Sequence, residues 1–352
     1  MSGERKKRAD ESVDLASLAE IVEAFAGKKI VLFGDFVADE FQFGDITRVS
    51  REAPVLILRH RETRIMPGGG ANAANNLAAL GAKVLPVTVV GDDQAGRSLT
   101  GQFRESGIDT NGVIRVKDWN TPTKTRFLAG WAHTVAQQVL RVDREPGCVP
   151  PESALLKSAA KLQNKLRTAD GLAVSDYGFG VASPVIVRKA IRAARRKIPV
   201  TLDARYKLDS YASCGISAAT PNEAELEALY HTTIGRNISE LEARGAATLK
   251  KMALQSLLVT RGKDGMTLFE RGQKNATHIP VHGSDQAVDV TGAGDTVLAT
   301  YTLALACGAK PFDAAHIANI AGGLVVMKRG TAVVTRGELL DAIRGEVSDG
   351  AA

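Results

Sequence analysis

Short apolar runs alternate with amphipathic stretches along most of the chain, and this alternation limits the folds that the chain can adopt. The runs 29–33, 84–90 and 171–175 have the length and composition of buried strands. The stretches 152–168 and 183–196 have apolar residues at helical spacing. Because strands that alternate with helices form a mostly parallel sheet covered on both faces, the sequence predicts a doubly wound α/β fold.

Two segments, about 41–60 and 120–143, do not fit the alternation. The second has the mixed polar and apolar pattern of a hairpin, with strands at 123–128 and 135–142. We expect the two segments to pair as a small β-sheet placed like a lid. The remaining elements follow the alternation and are expected as strands at 55–58, 199–203 and 256–260, a β-rich piece at 265–281, and helices at 15–26, 68–80, 94–106, 222–230, 238–253, 292–307, 312–328 and 336–344.

Length and composition suit one large domain. The chain has 352 residues, of which 44% are hydrophobic, and this is enough for a sizeable core. We expect a flexible tail at 1–13, a single domain at 14–345 and a tail at 346–352. No apolar run approaches the ~20 residues that span a membrane, and the polar N-terminus lacks the apolar stretch of a secretory signal. Three cysteines without metal-like spacing indicate reduced thiols and a cytoplasmic protein.

The net charge bears on the class of ligand. Lys and Arg number 45 against 39 Asp and Glu, which gives a formal net charge of +6. Acidic neighbours offset the basic run at 5–8, and the basic run at 188–197 has the pattern of a solvated helix face. The charge fits an anionic small molecule as well as nucleic acid. Aromatic residues make up 5% of the chain, which disfavours base-stacking surfaces, so we expect no nucleic-acid partner.

The run 289–296 carries the strongest chemical signal. Gly292, Ala293 and Gly294 stand directly before a predicted helix, where small residues let backbone N–H groups approach an anion and the helix dipole favours negative charge. Asp295 lies in the first turn, beside that anion site. A carboxylate there suits a general base that takes a proton from a hydroxyl attacking a phosphoryl group. The alternative is a glycine-capped helix start with Asp295 on the surface.

The pattern Asp-x-x-Gly-Ala-Gly-Asp at 289–295 resembles the C-terminal signature of the ribokinase-like (PfkB) carbohydrate kinases. Gly-Gly-Gly-Ala-Asn at 68–72 resembles the N-terminal signature of the same family, and the resemblance covers roughly 28–345. Thr300 stands where the family usually has a smaller residue. The resemblance implies a ribokinase-like fold, ATP-dependent phosphoryl transfer to a sugar hydroxyl, and Mg²⁺. It leaves open whether a monovalent cation such as K⁺ is required.

A narrower set of residues is similar to a subfamily that phosphorylates heptose 7-phosphate. The matches include Gly-Asp-x-x-x-Asp at 34–39, Thr-Arg-x-Ser-x-Glu-Ala-Pro-Val at 47–55 and Ser-Asp-Tyr at 175–177. Phe179 replaces a lysine of that subfamily, and Asp-Ala-Arg at 203–205 replaces Asp-Pro-Lys. The likeness implies phosphorylation of D-glycero-β-D-manno-heptose 7-phosphate at O1. The product would be the 1,7-bisphosphate, a precursor of the lipopolysaccharide core.

Partners and alternative functions follow from the same resemblance. In many bacteria such a kinase is fused to an adenylyltransferase with a His-x-Gly-His motif, which this sequence lacks, so a separate adenylyltransferase is expected downstream. Lid strands of this family often pair across a dimer, which implies a homodimer. The alternatives are a family kinase for fructose, ribose or fructose 1-phosphate, and a sugar-binding regulator without catalysis. The intact Asp295 disfavours the regulator.

Candidate sugar ligands lie near the first strand and the glycine-rich helix start. Asp39 follows the first strand near the sheet edge where such folds bind ligands, and its carboxylate suits sugar hydroxyls; the alternative is a solvated loop residue. Gly68 and Gly69 would let the backbone approach the sugar, and Asn72 both donates and accepts hydrogen bonds. A dinucleotide site is disfavoured because Gly-x-Gly-x-x-Gly is absent. The subfamily resemblance adds Asp176.

The nucleotide and metal residues come mainly from the resemblance. It implies that Asn222 and Glu225 hold Mg²⁺ largely through waters, as oxygen ligands suit that ion; the alternative is an Asn cap with a surface Glu. It places Thr260, Arg261 and Gly262 beside the nucleotide phosphates. Asn319 is expected beside the adenine, with a buried structural amide as the alternative.

A substrate phosphate requires cations, and the two lid segments supply them. Arginine offers a bidentate fork to phosphate, and lysine offers a point charge. The alternative for each is an exposed charge on a strand. The candidates are Arg48, Arg51, Lys124 and Arg126.

Overall fold

The computed structural model describes residues 13–131, 136–194, 196–283 and 287–350, without the side chains of 346–350. The basic run at 5–8, most of the expected N-terminal tail, the start of the second hairpin strand at 135, Arg195 and the last two residues lie outside the described residues.

The elements alternate as the sequence predicts. The strands of the described residues are β1 (Lys29–Gly34), β2 (Phe36–Val49), β3 (Leu56–Gly69), β4 (Lys83–Gly91), β5 (Val113–Val116), β6 (Thr123–Gly130), β7 (Gln137–Arg144), β8 (Gly171–Asp176), β9 (Val200–Ala204), β10 (Ala218–Ala219), β11 (Ser256–Thr260), β12 (Met266–Glu270) and β13 (Thr277–Ile279). The helices are α1 (Leu15–Glu23), α2 (Gly70–Ala79), α3 (Gln94–Glu105), α4 (Glu152–Leu166), α5 (Pro184–Ala193), α6 (Glu223–Tyr230), α7 (Ile238–Lys251), α8 (Ala293–Ala306), α9 (Pro311–Val326) and α10 (Arg336–Gly350).

The large sheet confirms the predicted doubly wound architecture. Its strand order is β13-β12-β11-β10-β9-β8-β1-β4-β5. The neighbours from β11 to β5 pair in parallel, whereas β12 and β13 are antiparallel additions at one edge. Side chains of β1 alternate between two apolar cores: Ile30 and Leu32 pack into one, Val31 and Phe33 into the other. Helices α1, α2, α8, α9 and α10 contribute to the first core, and α4 to α7 to the second.

A four-stranded second sheet matches the expected lid, in the order β3-β2-β6-β7. Strands β2 and β6 pair in parallel, and each carries an antiparallel partner on its outer side. The strands β2 and β3 are much longer than the predicted strand at 55–58. Their inner ends are buried and their outer ends are exposed, so neither shows one uniform pattern along its length. The polar stretch 59–64 therefore resembled a loop although it is an edge strand.

Smaller differences concern short or terminal elements. Strands β5 and β10 were not predicted, because four and two residues are too short to show a period. Helix α5 ends at Ala193, before the predicted end at 196. Helix α10 continues to Gly350, past the predicted end at 344, so 346–350 have helical backbone where a tail was expected. In the described part of the chain, every helix is too short or too polar to span a membrane.

Candidate active site

A cleft of about 570 Å³ opens at the carboxyl ends of the parallel strands, between the large sheet and the lid. The large sheet supplies residues that end or follow β8, β9, β10 and β11. The lid supplies residues of β2, β3 and β6, and helix α8 begins at the cleft floor. The polar side chains and glycines that line it include Asp39, Gly69, Lys124, Arg126, Asp176, Tyr177, Asp203, Arg205, Thr220, Asn222, Glu225, Thr260, Gly292, Gly294 and Asp295.

Asp295 lies in the first turn of α8 and is 3% exposed. Its two oxygens accept hydrogen bonds from different parts of the fold. Asn72 Nδ2 donates to Oδ2 at 2.9 Å, and the Tyr177 hydroxyl donates to Oδ1 at 2.9 Å. Burial raises the pKa of Asp295 to about 7, against the lowering effect of these two donors. A carboxyl group with a pKa near neutrality suits a general base.

Gly292 shapes the entrance to α8. Its φ of +80° is left-handed backbone, which glycine adopts without strain. A Cβ atom at this position would lie 2.4 Å from Asn72 Nδ2, so a side chain would also disturb the donor to Asp295. The backbone N–H groups of Gly294 and Asp295 find no acceptor among the described residues. The expected anion hole is therefore open at the start of this helix.

A buried carboxylate holds the loop that carries Tyr177. Asp35, directly after β1, accepts backbone N–H hydrogen bonds from Tyr177 at 2.9 Å, Phe179 at 3.0 Å and Val181 at 2.9 Å. Burial and the neighbouring Asp176 raise the pKa of Asp35 to about 7, and the three donors act against that rise. These three hydrogen bonds hold the loop after β8, whose Tyr177 hydroxyl contacts Asp295.

Asp39 lines the cleft but already has a cationic partner. Arg126 Nη1 lies 2.5 Å from Asp39 Oδ1, and both side chains are largely buried. The Arg126 guanidinium also lies 5.3 Å from the ring centroid of Phe41. A Cβ atom on Gly68 would come within 2.3 Å of Asp39 Oδ2, so this glycine makes room for the carboxylate. Gly69 lines the cleft itself.

Asn72 differs from its expected placement. It is fully buried in the first turn of α2, and its amide groups are occupied by Asp295 and Asn76. It therefore holds the Asp295 carboxylate and does not line the cleft, where a sugar ligand was expected from the sequence. Asp176 does reach the cleft, but it also accepts hydrogen bonds from the Tyr211 hydroxyl at 2.6 Å and from the backbone N–H of Gly178.

The four lid cations separate into two groups. Lys124 and Arg126 line the cleft. Arg48 and Arg51 are exposed at the outer end of the lid hairpin, away from the cleft lining that the described residues form. The structure therefore does not bring Arg48 and Arg51 to the site. The structure also places Arg205 at the cleft. From the sequence, this residue was noted only as a departure from the subfamily pattern.

Asn222 and Glu225 form a capping box at the start of α6. The Asn222 side chain accepts from the Glu225 backbone N–H at 2.8 Å, and Glu225 Oε2 accepts from the Asn222 backbone N–H at 2.9 Å. This explains their spacing by helix capping alone. Both residues nevertheless line the cleft, and the second carboxylate oxygen of Glu225 makes no hydrogen bond within the described chain.

Asp203, which was not predicted as a site residue, faces the same corner of the cleft. Burial and the charges of Glu225, Asp295 and Asp176 raise its pKa well above the usual range for an aspartate. Thr220 Oγ1 is buried nearby and has no hydrogen-bond partner among the described residues. Carboxylate and hydroxyl oxygens that lack protein partners fit a hydrated divalent cation. No three described His, Cys, Asp or Glu side chains group closely enough to ligate a metal directly.

A second, apolar pocket of about 260 Å³ adjoins the start of α8. Thr260, Gly262, Gly294 and Asn319 line it with Met266, Val281, Val290, Val297 and Val326. Asn319 Nδ2 donates to the Pro280 carbonyl at 2.8 Å. Arg261 instead forms a partly buried ion pair with Glu223 at 2.9 Å, so its guanidinium is already engaged. An apolar pocket next to open backbone N–H groups suits a purine and its phosphates.

Known proteins with similar sequences define the class of this protein. The family model described as "pfkB family carbohydrate kinase" matches residues 28–336. The chain therefore belongs to the pfkB family of carbohydrate kinases, enzymes that transfer a phosphoryl group to a sugar hydroxyl.

Two individual proteins illustrate the sequence similarity. The chain is 40% identical over 336 residues to the bifunctional protein HldE of Caulobacter sp. (strain K31), an alignment that covers 95% of this chain and 66% of that protein. It is 40% identical over 320 residues to HldE of Pseudomonas aeruginosa (strain PAO1), covering 90% and 64%. The chain thus spans just under two thirds of the length of these relatives.

Solved structures share the fold. Ribokinase of Arabidopsis thaliana, complexed with ribose and ATP, has a TM-score of 0.68 at 20% identity, covering 91% of this chain and 99% of that one. Phosphofructokinase-2 from Escherichia coli, in complex with substrates and products, has a TM-score of 0.73 at 17% identity, covering 90% and 99%. Both confirm the ribokinase-like architecture.

Proposed function

We propose that this kinase uses ATP to phosphorylate D-glycero-β-D-manno-heptose 7-phosphate at O1. The observation that carries the catalytic part is the buried Asp295 carboxylate, held by two donors at the floor of the cleft and beside the open amides of α8. The choice of sugar is supported by the subfamily motifs and by the identity to the HldE proteins.

The proposed reaction uses each of these groups. The sugar O1 hydroxyl donates to Asp295, which takes its proton as O1 forms a bond to the γ-phosphorus of ATP. The bond between that phosphorus and the β,γ-bridging oxygen breaks, and ADP leaves with the bridging electrons. The backbone N–H groups of Gly294 and Asp295 stabilise the charge on the transferred phosphoryl group. Asp39 orients the sugar hydroxyls, and the apolar pocket beside Asn319 holds the adenine.

Mg²⁺ is proposed at the corner formed by Glu225, Asp203, Thr220 and Asn222. The free oxygen of Glu225 and the unpartnered Thr220 Oγ1 are the observations that fit it. When bound there, the ion would neutralise charge on the nucleotide phosphates. Most of its ligands would be water and phosphate oxygens, as this cation prefers.

A homodimer is proposed for the quaternary structure. Strand β7 is exposed along its whole length, and its apolar side chains Val139, Leu140 and Val142 are each at least 42% exposed. Exposed apolar side chains along an edge strand indicate an interaction surface. Sedimentation velocity checks this: a dimer is expected, and a monomer at all accessible concentrations would contradict it.

An ADP-release assay over a panel of sugars tests the proposed activity. The panel pairs heptose 7-phosphate with unphosphorylated heptose, ribose, fructose and fructose 1-phosphate. We expect the highest kcat/KM with heptose 7-phosphate, and a new anomeric phosphate in the ³¹P spectrum of the product. Turnover of another sugar with heptose 7-phosphate inert would reassign the substrate. ADP release that no sugar stimulates would contradict the kinase proposal.

A further inference from the structure

We propose that Lys124 and Arg205 form a subsite for a phosphate monoester, the phosphate that the sugar substrate already carries. The proposal rests on the proposed function and names the part of the substrate that this enzyme recognises. The phosphoryl-transfer chemistry above assigns no role to either cation. It also assigns none to the side pocket that they share.

The two cations line a side pocket of about 300 Å³ that opens from the main cleft. Its walls come from the loop after β8, with Tyr177 and Phe179, and from the segment 143–149 after the lid strand β7. None of the nucleotide-side residues Asn222, Thr260 and Gly294 lines this pocket in the part of the chain that the structure describes. A group bound there would therefore lie on the sugar side of the cleft.

Neither cation of this pair has a direct carboxylate partner among the described residues. Within the same part of the chain, neither Lys124 nor Arg205 forms an ion pair, whereas their neighbours Arg126 and Arg141 do. Their mutual repulsion contributes, after burial, to lowering the pKa of Lys124. A dianion between the two cations would remove that repulsion and would gain charge-assisted hydrogen bonds from both.

The acidic groups nearby act on Lys124 without forming an ion pair with it in the described stretches of the chain: Asp39 and Asp143 raise its pKa, and Lys124 lowers the pKa of Asp295. Asp39 is paired with Arg126, and Asp143 is paired with Arg141 at 2.9 Å. Glu145 is exposed at the pocket rim, and Glu225 faces Arg205 from the metal corner. Both Lys124 and Arg205 line the main cleft as well as the side pocket, and only Arg205 also acts on the charge of Glu225.

The spacing from the base suits a long phosphorylated sugar. The Lys124 ammonium lies 5.4 Å from the ring centroid of Tyr177, and the hydroxyl of the same ring lies 2.9 Å from Asp295. The cation therefore lies over the face of the ring whose hydroxyl is bonded to Asp295. A heptose presents its reacting O1 and its C7 phosphate at opposite ends, so a heptose with O1 at Asp295 can place its phosphate in the side pocket that Lys124 and Arg205 line.

A phosphate at this pair has two conceivable sources, the sugar phosphate and the γ-phosphate of ATP. The variants Arg205→Gln and Lys124→Gln separate them, because glutamine keeps polarity and length but removes the charge. Arg236→Gln, an exposed arginine between α6 and α7, is the matched control. For each protein, kcat and KM are measured with heptose 7-phosphate, with unphosphorylated heptose and with ATP.

We expect each variant to raise KM for heptose 7-phosphate by about tenfold or more, the loss of one charge-assisted contact. KM for unphosphorylated heptose and for ATP should change less than about twofold, as should every constant of the control. A rise in KM for ATP, or an equal loss with both sugars, would overturn the assignment to the sugar phosphate.

The proposed function and the phosphate subsite can be contradicted by different results. If the wild-type enzyme phosphorylates neither form of heptose, the choice of heptose is contradicted. Calorimetry with heptose 7-phosphate alone then decides the subsite: binding that Arg205→Gln weakens supports it, and no binding, or equal binding to wild type and variant, contradicts it. If the wild-type enzyme turns over both forms of heptose with equal KM, the subsite fails while the kinase proposal stands.

Discussion

Asn72 and Tyr177 reach Asp295 from positions 223 and 118 residues away in the chain. Each donates one hydrogen bond to a different carboxylate oxygen, so the carboxylate is fixed in orientation and its charged form is favoured. Burial acts in the opposite direction, and the resulting pKa of about 7 leaves Asp295 partly ionised near neutral pH.

Removing the Tyr177 hydroxyl tests this arrangement. Tyr177→Phe takes away a donor that favours the carboxylate, so the pKa of Asp295 should rise. Because the base acts in its deprotonated form, kcat should rise with pH through about 7 in the wild type. In the variant, the pH at which kcat rises should be higher by about one pH unit, because one hydrogen bond to the charged carboxylate is lost. The measurement is kcat against pH.

Tyr206→Phe is the matched control for that profile. Tyr206 lines the cleft but is 58% exposed, and its hydroxyl makes no hydrogen bond to Asp295. In this variant, kcat should rise with pH over the same range as in the wild type. A Tyr177→Phe profile that also coincides with the wild type would show that the hydroxyl does not tune the base.

Glu225 can be tested for a metal role without loss of the helix cap. Glutamine at this position of a capping box still accepts the backbone N–H hydrogen bond, so Glu225→Gln removes charge and keeps α6. We expect lower activity and a Mg²⁺ titration displaced to higher concentration, since one anionic contact to the hydrated ion is lost.

A second Asn-x-x-Glu supplies the control. Asn237 caps α7 and accepts from the Glu240 backbone N–H at 3.1 Å, as Asn222 does in α6. Glu240 lies outside the residues that line the cleft. Glu240→Gln should keep the wild-type Mg²⁺ curve, and a Glu225→Gln curve that matches it would remove Glu225 from the metal site.

At the level of elements, α8 has a left-handed glycine at each end. Gly292 has φ +80° and would place a Cβ atom 2.4 Å from Asn72 Nδ2, whereas Gly308 has φ +88° and open space around it. Both Gly→Ala variants should lose about 1–2 kcal/mol of stability from backbone strain, and Gly292→Ala should lose more because its Cβ atom meets the buried Asn72 side chain. Only Gly292→Ala should also lose activity, because it displaces the donor to the base.

Thermal unfolding and kcat distinguish the two contributions. Both kcat values are measured at a temperature at which both variants are fully folded. Equal losses of kcat in Gly292→Ala and Gly308→Ala would show that the contact with Asn72 does not affect catalysis.

The elements were largely predictable, and the reason for the exceptions is physical. Strands such as β1 and β8 are buried on both faces, so they appear as continuous apolar runs. The lid strands β2 and β3 pass from a buried end to a solvated end, and no single period describes them. The two-residue β10 exists because the neighbouring strands β9 and β11 pair with it.

At the scale of the whole molecule, local sequence motifs predicted where the site lies. They did not predict which distant residues contact one another there. The glycine-rich start of α8 indicated Asp295, because helix capping and anion binding depend on neighbours in sequence. The roles of Asn72, Asp203 and Arg205 depend on how α2, β9 and the lid meet, which no local pattern encodes. The repeated Asn-x-x-Glu makes the same point, since both asparagines cap a helix but only the copy at 222–225 lines the cleft.

The central claim is that Asp295 is the base of a sugar kinase, and kcat of Asp295→Asn tests it most directly. Asparagine keeps the shape, can accept from Asn72 Nδ2 through its oxygen and can donate to the Tyr177 hydroxyl through its NH2 group, but it lacks basicity. We expect kcat to fall by about 10²-fold or more, the usual contribution of a general base, while ATP and the sugar still bind and the unfolding temperature changes little. A variant that binds both ligands and turns over within about threefold of the wild-type rate would contradict the claim.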